Sequence, residues 1–301
     1  MRWTASSRKH VAYILAVSID GHPHVFCWFL KQTALTCGAI VIDRVTARTF
    51  HRFLHSGRTS PAIFTCGNER YEGEYVVKLR GGLERRERGL AAELYAAILA
   101  GYFGIVCPSP AVVILESDLA EAIVGQLRVD KQKTQVIQES VGLNFGTQFL
   151  VNLSIWPVDR PVPSSMKAVA AAVYAFDAFI QNPDRRFNNP NLATRNDELF
   201  VFDHELAFSF LLSIVPSSAP WVLANEDYLD QHVFSRVLKK TPAPQEFLER
   251  LSLLTDEVIQ SCSNQIPPEW NSEDLAKIER HLKLMREHTA EFAEELTRRL
   301  A

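Results

Sequence analysis

The stretch Asn182-Pro-Asp-Arg-Arg-Phe-Asn-Asn-Pro-Asn191, followed by Leu199-Phe-Val-Phe-Asp-His-Glu205, is the part of this 301-residue sequence that decides its fold. It places a carboxylate at Asp184, a carboxamide at Asn189 and a second carboxylate at Asp203. Phosphoryl transfer from a nucleotide needs these groups, because one Asp orients the attacking hydroxyl and accepts its proton while an Asn and another Asp hold Mg²⁺. The pattern therefore predicts a kinase with Asp184 and Asn189 as catalytic residues and Asn189 and Asp203 as metal ligands.

The segments around this motif favour the catalytic interpretation over a structural one. Taken alone, Asn-Pro-Asp and Asn-Pro-Asn are ordinary turn formers. Residues 166–180, however, carry apolar side chains at helical spacing, and the apolar run 199–202 is short and aromatic-rich, which is typical of a buried strand. Helix, polar loop, strand and acid is the order in which kinase-like folds present these groups.

Lys78 supplies the second part of the prediction. Residues 62–66 and 74–79 predict two strands joined by a turn, and Lys78 lies in the apolar part of the second strand. An unpaired ammonium would be costly there. Lys78 is therefore expected to reach into a cleft and meet phosphate oxygens; a solvated charge on an edge strand is the alternative.

A helix predicted over residues 84–102 carries Glu93 beside its apolar face. A strand lysine paired with a helix glutamate positions the nucleotide in kinase folds, so Glu93 is the expected partner of Lys78. Glu84 and Glu87 offer the same charge from nearby turns and remain alternatives.

Together these residues resemble a known family, the HipA-like kinases, which are bacterial proteins related to the kinase component of the HipBA toxin–antitoxin system. The resemblance runs from about residue 45 to residue 270 and looks closest to the small single-chain branch of the family. The motifs that carry it are Ser56-Gly-Arg-Thr-Ser-Pro61, Tyr75-Val-Val-Lys78, Gly142-Leu-Asn-Phe-Gly146, Asp177, Asn182-Pro-Asp184, Asn189-Pro-Asn191, Phe202-Asp-His-Glu205 and Ile266-Pro-Pro-Glu-Trp270.

The resemblance implies an α+β, two-lobed protein-kinase-like fold, with a small strand-rich N-lobe and a mostly helical C-lobe. It also implies ATP and Mg²⁺ as cofactors for phosphorylation of a hydroxyl. By position, Asp184 would be the base, Asn189 and Asp203 the Mg²⁺ ligands, and Lys78 the phosphate-binding lysine.

Two features depart from the pattern of protein kinases. Asp203-His-Glu stands where most of them carry Asp-Phe-Gly, which keeps the metal ligand but argues against a flipping activation switch. No Gly-x-Gly-x-x-Gly loop is present, so Gly57, Arg58, Thr59 and Ser60 form the one candidate turn over the phosphates. Ser56, Thr59 and Ser60 lie where related kinases modify themselves, although ordinary turn hydroxyls explain them as well.

Three segments are predicted along the chain. Residues 1–39 are an N-terminal extension, residues 40–145 the nucleotide-binding N-lobe, and residues 146–301 the C-lobe with the catalytic loop, the metal site and the C-terminal helices. The apolar runs of the first segment are each too short to span a bilayer, and secretion is disfavoured because no clean small-residue cleavage site follows them. This extension is either an extra strand pair on the N-lobe or translated sequence upstream of the true start.

Several boundaries follow from local patterns. The last N-lobe strand is predicted at residues 111–115, and Ser117 or Asp118 is expected to cap a short helix after it. Glycines and an asparagine in residues 135–150 predict the hinge between the lobes.

The C-terminal third is predicted to be helical. Helical spacing predicts one helix over residues 245–259 and a long amphipathic helix over residues 275–296 that begins at a Ser272 cap.

Composition limits the function class. Apolar residues make up 47% and charged residues 22% of the chain, as in ordinary globular proteins. A net charge of −3 gives no reason to expect direct nucleic-acid binding. The five cysteines are scattered and form no C-x-x-C pair, which predicts free thiols rather than disulfides or a zinc site. The histidines form no H-x-x-x-H pattern beside an acid, so a metal hydrolase is disfavoured.

Four residues near the motif have two interpretations each. Asp177 either orients the catalytic loop or, as favoured here, accepts backbone hydrogen bonds. Arg185 and Arg186 either neutralise phosphate charge or are surface charges. His204 is expected to pack beneath the metal ligand rather than titrate.

The favoured function is a Ser/Thr protein kinase that acts on a protein substrate. It is expected to be cytoplasmic and not associated with a membrane, and an antitoxin-like protein is a possible partner. A phosphotransferase acting on a small molecule or lipid headgroup would use the same base and metal ligands. The third alternative is a pseudokinase or binding module. The chain argues against it because it keeps all four residues of the kinase chemistry: Lys78, Asp184, Asn189 and Asp203.

Overall fold

A closed five-stranded β-barrel forms the first part of the fold. The computed structural model describes residues 41–54, 59–127, 130–158, 160–213, 219–270 and 272–301. The barrel strands are β1 (Asp43–Phe53), β2 (Ala62–Gly67), β3 (Glu72–Lys78), β4 (Pro110–Leu115) and β5 (Gly142–Gln148), in the spatial order β1-β2-β3-β5-β4. The pairing of β1 with β4 is parallel and the other four pairings are antiparallel.

The barrel encloses its own hydrophobic cluster. Alternate side chains point inward, as the two-residue period of a strand requires, and include Val45, Phe64, Val77 and Val113. A Cβ added at Gly146 would lie 2.5 Å from the Cγ2 of Val113, so only glycine fits where β5 crosses this interior.

Helices and a small second sheet form the rest of the described chain around a larger hydrophobic cluster. The helices are α1 (Arg86–Tyr102), α2 (Ser117–Gln126), α3 (Lys131–Gln138), α4 (Lys167–Phe179), α5 (Gln245–Ser252), α6 (Asp256–Ser263), α7 (Ser272–Glu287) and α8 (Thr289–Leu300). The second sheet has the order β6 (Ser154–Ile155), β7 (Leu192–Arg195) and β8 (Glu198–Val201). Short 3-10 helices occupy Arg80–Gly82, Ser164–Met166, Ser209–Leu212, Asp227–Gln231 and Pro268–Trp270.

Most elements that the sequence predicts around the site are present in the structure. The two predicted strands are β2 and β3, and the helix that carries Glu93 is α1. The helix before the Asn182–Asn191 stretch is α4, and the apolar run 199–202 lies in β8; strand β7, which directly follows the stretch, was not predicted. The fold is a mixture of strands and helices. Within the described ranges, no helix is both long enough and apolar enough to cross a membrane.

The hinge predicted within residues 135–150 is wrong in part, because residues 142–148 form barrel strand β5. Strand β4 is therefore not the last strand before the helical part. Only the middle of β5 is buried, so its sequence shows no apolar alternation, and pairing with β3 and β4 on either side stabilises it instead. The predicted domain boundary between residues 145 and 146 falls inside this strand. The short helix after β4 is present, but Glu116 is its N-cap residue and no side chain caps it.

Each long C-terminal helix of the prediction is a pair of shorter helices. Helix α5 ends at Ser252, and Thr255 begins α6 by accepting the backbone N–H of Val258 at 3.3 Å. Helices α7 and α8 are interrupted at His288, whose ring stacks on Trp221 with centroids 3.5 Å apart. The apolar positions on both sides of each break face the same core, which is why the helical spacing continues through it.

Three cysteines, Cys66, Cys107 and Cys262, lie in the described part of the chain. Each is buried and free, as predicted, and burial raises the pKa of each thiol to about 12. Cys27, Cys37 and the whole predicted extension 1–39 lie outside the described residues.

Candidate active site

Lys78 connects three segments that are distant in sequence. It is the last residue of β3, and its Nζ donates to Glu93 Oε1 on α1 and, at 2.7 Å, to Asp203 Oδ1 just after β8. The lysine side chain is only 12% exposed. Strand β3 lies between β2 and β5 in the closed barrel, so Lys78 is not the solvated charge of an edge strand.

Glu93 is the acidic partner on α1. Its side chain is buried, and its second oxygen, Oε2, accepts the backbone N–H of His204 at 3.0 Å. The alternative Glu87 is instead 3.4 Å from Arg80. Burial lowers the pKa of Lys78, but the two carboxylates outweigh burial, so the net shift is upward and the ammonium stays charged. Burial and Asp203 raise the pKa of Glu93 against the opposing effect of Lys78.

Asp203 ends the strand segment in an uncommon backbone conformation. Its φ is 61°, in the left-handed region that Asp tolerates better than most side chains. One oxygen binds Lys78, and the side chain remains 36% exposed. Burial alone would raise the pKa of this carboxyl, but Lys78 reverses the effect and the net shift is downward. Asp203 is therefore an ionised oxygen donor beside a fixed ammonium.

Asp184 and Asn189 come together in the loop between α4 and β7. Asp184 Oδ2 accepts from Asn189 Nδ2 at 3.0 Å and from Asn191 Nδ2 at 3.2 Å. The backbone N–H of Asp184 donates to Asn182 Oδ1 at 3.2 Å. Burial and the charge of Asp203 raise the pKa of Asp184, a shift that strengthens a carboxylate as a proton acceptor.

A buried ionic network fixes this loop from below. Asp177, on α4, accepts from Asn182 Nδ2 at 2.8 Å, from Arg185 Nε at 2.6 Å and from His232 Nε2 at 3.0 Å. Arg185 also donates to the carbonyl oxygen of Asn191 at 2.7 Å. Asp177 thus accepts from side chains, so the favoured prediction of backbone donors is wrong and its loop-orienting alternative fits.

Both interpretations of Arg185 are also wrong. Its side chain is fully buried against Asp177, which leaves no surface charge and no guanidinium for a phosphate. His204 accepts from Arg185 Nη2 at 3.0 Å, because an arginine can only donate. Burial lowers the pKa of His204 to about 3, so the ring is neutral and structural, as predicted. Arg186 is half-buried and donates from Nε to the carbonyl oxygen of Pro183 at 2.7 Å.

The candidate phosphate-covering turn is described only in part. Gly57 and Arg58, with Ser56, lie outside the described residues. Thr59 and Ser60 lie in the β1–β2 connection, which the hydrogen bond from Leu54 N to Pro61 O closes at 2.7 Å. A Cβ added at Gly82 would collide with the Thr59 carbonyl, so this connection lies against the backbone that follows Lys78.

The donor set fits a hard divalent cation. In the described parts of the chain, no group of three or more His, Cys, Asp or Glu side chains could hold a metal. Asn189 and Asp203 offer oxygen donors, and Mg²⁺ takes few protein oxygens and completes its shell with phosphate and water. Asn189 directs its amide nitrogen at Asp184, and its Oδ1 has no hydrogen-bond partner among the described residues. Asp203 contributes the charged oxygen.

Two residues at the site were missed by sequence reasoning. Asn191, the second donor to Asp184, could have been found because it lies within the quoted motif. His232, the third partner of Asp177, carries no local signal, since it is 55 residues away in sequence.

Comparison with known proteins bears on this arrangement. The sequence profile described as HipA-like kinase matches residues 47–298, which confirms the resemblance noted from the motifs. Curated proteins gave no match. Among solved structures, the chain is similar to the crystal structure of a Helicobacter pylori proinflammatory kinase, CtkA, with a TM-score of 0.47 and 12% identity over 86% of this chain and 98% of that one.

Proposed function

The chain belongs to the HipA-like kinase family, and we propose that this phosphotransferase moves the γ-phosphate of ATP to a Ser or Thr hydroxyl of a protein, within a two-lobed protein-kinase-like fold. One observation carries the proposal: Lys78, Glu93 and Asp203 meet although they come from a barrel strand, a helix and the end of a distant strand. A buried ammonium shared by two carboxylates, beside an oxygen-donor loop, is what positions a nucleotide in kinases.

Asp184 is the proposed base. Asn189 and Asn191 hold its Oδ2, so the other oxygen is available to accept the proton of an incoming hydroxyl as the new O–P bond forms. Since burial and Asp203 raise the pKa of Asp184, the carboxylate accepts a proton more readily than an exposed Asp does.

Asn189 and Asp203 are the proposed metal ligands, and Lys78 is the proposed phosphate ligand. Mg²⁺, when bound with ATP, supplies charge neutralisation on the phosphates. The chain's own contribution is to keep the ammonium of Lys78 directed at that place, through Glu93 on one side and Asp203 on the other. Thr59, Ser60 and the preceding Gly57 and Arg58 are proposed to cover the phosphates.

A protein substrate, an antitoxin-like partner and a cytoplasmic location are parts of the same proposal. They rest on the family membership and on the composition of the chain, which carries no excess of positive charge for nucleic acid.

The test uses intact mass and radiolabel transfer with ATP and Mg²⁺ in a dephosphorylated cell lysate. Wild type is compared with Asp184→Asn and with the matched control Asp197→Asn, which changes an exposed Asp in the β7–β8 turn. Label in protein with wild type and Asp197→Asn, and none with Asp184→Asn, supports the proposal. Label confined to small molecules would replace the protein substrate by the small-molecule alternative. No transfer together with no Mg²⁺-dependent stabilisation by ATP would refute the kinase function.

A further inference from the structure

A stripe on helix α1 faces the segment that carries Asp203. Arg85, Gly89 and Glu93 are spaced by four residues, and such residues lie on one face of a helix. Each of the three contacts residues 204–207: Arg85 through two hydrogen bonds, Gly89 through close packing and Glu93 through one hydrogen bond. Lys78 joins Glu93 to Asp203 at the end of this stripe.

Arg85 makes the contact farthest from the site. It is the residue before the first turn of α1, and its Nη1 donates to the carbonyl oxygens of Glu205 at 2.9 Å and Ala207 at 3.2 Å. Its Nε and Nη2 are buried and have no hydrogen-bond partner in the ranges that the structure describes. A guanidinium with two nitrogens left in this way is costly. Arg85 makes no capping bond to its own helix, and both of its side-chain hydrogen bonds go to the segment after Asp203.

Gly89 allows the helix to approach the same segment closely. A Cβ added there would lie 3.1 Å from the Cγ of Glu205, which is tighter than ordinary side-chain packing. One turn further along, Glu93 Oε2 accepts the N–H of His204, the residue directly after Asp203. The segment that presents Asp203 is thus held to α1 on both sides of Glu205.

We propose that Arg85 is a positioning residue that holds the backbone after Asp203 against helix α1 and thereby fixes the Asp203 carboxylate for Mg²⁺. The inference rests on the proposed function. Because Asp203 has a positive φ, its conformation depends on the segment that follows it. Residues that orient a metal ligand typically change metal affinity by about 10- to 100-fold when they are removed.

The test measures how much Mg²⁺ the protein needs, both for transfer and for binding of a fluorescent ATP analogue without turnover. Arg85→Ala is compared with Arg88→Ala, which removes the same side chain one turn along; Arg88 is half-exposed and pairs with Asp274 at 3.2 Å. We expect Arg85→Ala to raise the half-saturating Mg²⁺ concentration by about tenfold, with Mg²⁺-free binding of the analogue unchanged, and Arg88→Ala to leave both at wild-type values. Arg85→Lys should recover part of the loss, since an ammonium can still donate to one carbonyl.

Gly89→Ala keeps the inference testable if Arg85→Ala does not fold. Alanine favours an α-helix over glycine by about 1 kcal/mol, so this variant should melt no lower than wild type while its Cβ presses on Glu205. A raised Mg²⁺ requirement in this variant supports the proposal.

The two proposals can fail separately. Equal Mg²⁺ requirements in Arg85→Ala and Arg88→Ala, with an active wild type, would overturn the positioning role. If Arg85→Ala is unfolded, a wild-type Mg²⁺ requirement in Gly89→Ala would overturn it instead. A wild-type protein that binds no nucleotide with or without Mg²⁺ would overturn the proposed function itself.

Discussion

Asp177→Asn tests the buried ion pair beneath Asp184. Asp177 and Arg185 form an ion pair whose two side chains are both fully buried. Burial alone would raise the pKa of Asp177, but Arg185 and His232 outweigh it and the net shift is downward, so the carboxylate is charged in the folded protein. The isosteric amide removes this charge and leaves Arg185 buried without it.

The expected loss follows from the partners that remain. Removing one member of a buried ion pair costs about 3–5 kcal/mol, because the other charge is left uncompensated. Arg185 keeps its bonds to the carbonyls of Asn191 and Phe202, which supports the lower half of that range. The single amide oxygen of the substituted side chain would also accept from His232 or Asn182, but it cannot accept from these two and Arg185 at once. We therefore expect a loss of about 3–4 kcal/mol in the free energy of unfolding.

Urea unfolding of wild type, Asp177→Asn, Arg185→Met and the double variant measures this loss. Because each single variant leaves one buried group without its partner, the double variant should be destabilised by less than the sum of the two. The exposed control Asp197→Asn should change stability by less than about 0.5 kcal/mol. A loss below about 1 kcal/mol for Asp177→Asn, at an unchanged denaturant slope, would show that the network does not hold the catalytic loop.

Three further substitutions test separate parts of the structure. Asp184→Asn should abolish transfer in the presence of ATP and Mg²⁺. Measured without Mg²⁺, its stability should be unchanged or slightly higher, since burial and Asp203 disfavour the charge of Asp184; a stability loss above about 1 kcal/mol by urea unfolding contradicts this. Burial lowers the pKa of His281 to about 4 against about 6.5 unfolded, so the unfolded chain binds the extra proton first. Its contribution to stability therefore falls by up to about 3 kcal/mol as pH drops from 6.5 towards 4, and His281→Gln should make that part of a pH–stability curve less steep. Gly146→Ala should lower stability by about 1–3 kcal/mol, because its Cβ meets Val113 inside the barrel, and a melting temperature equal to wild type would contradict the barrel register.

The candidate catalytic loop could be located from sequence because its contacts are local. Asp184 and Asn189 lie five residues apart and bond to each other directly. The helix before them has a clear helical period, and the run 199–202 of β8 is short, apolar and aromatic-rich, so both elements followed from the pattern alone. Strand β7, directly after the loop, did not. The pair of Lys78 and Glu93 was accessible for the same reason, since a predicted strand leads directly into a predicted helix.

Contacts between distant segments could not be predicted in this way. The bond from Lys78 to Asp203 spans 125 residues, and the bond from His232 to Asp177 spans 55. Strand β5 was missed because its partners on both sides, rather than its own side chains, decide its conformation. Arg185 was misassigned because a sequence does not show that the charge beside Asp184, the proposed base, points into the core.

Charges are disfavoured in the candidate active site but compensated in the Asp177–Arg185 network beneath it. This difference explains how the site keeps its geometry. At the site, burial raises the pKa of Glu93 and of Asp184, so both carboxylates are held where their charged forms are disfavoured. Beneath it, Asp177 and Arg185 compensate each other, and Arg185 also bonds to the backbone carbonyls of Asn191 and Phe202, which follow Asp184 and Asn189 in the chain. A reactive arrangement needs such a second layer, because unfavourable charges stay in place only when the surrounding bonds fix them. Weakening the Asp177 network should therefore lower transfer even in variants that stay folded, since Asp184 would lose its fixed position before the protein loses its core.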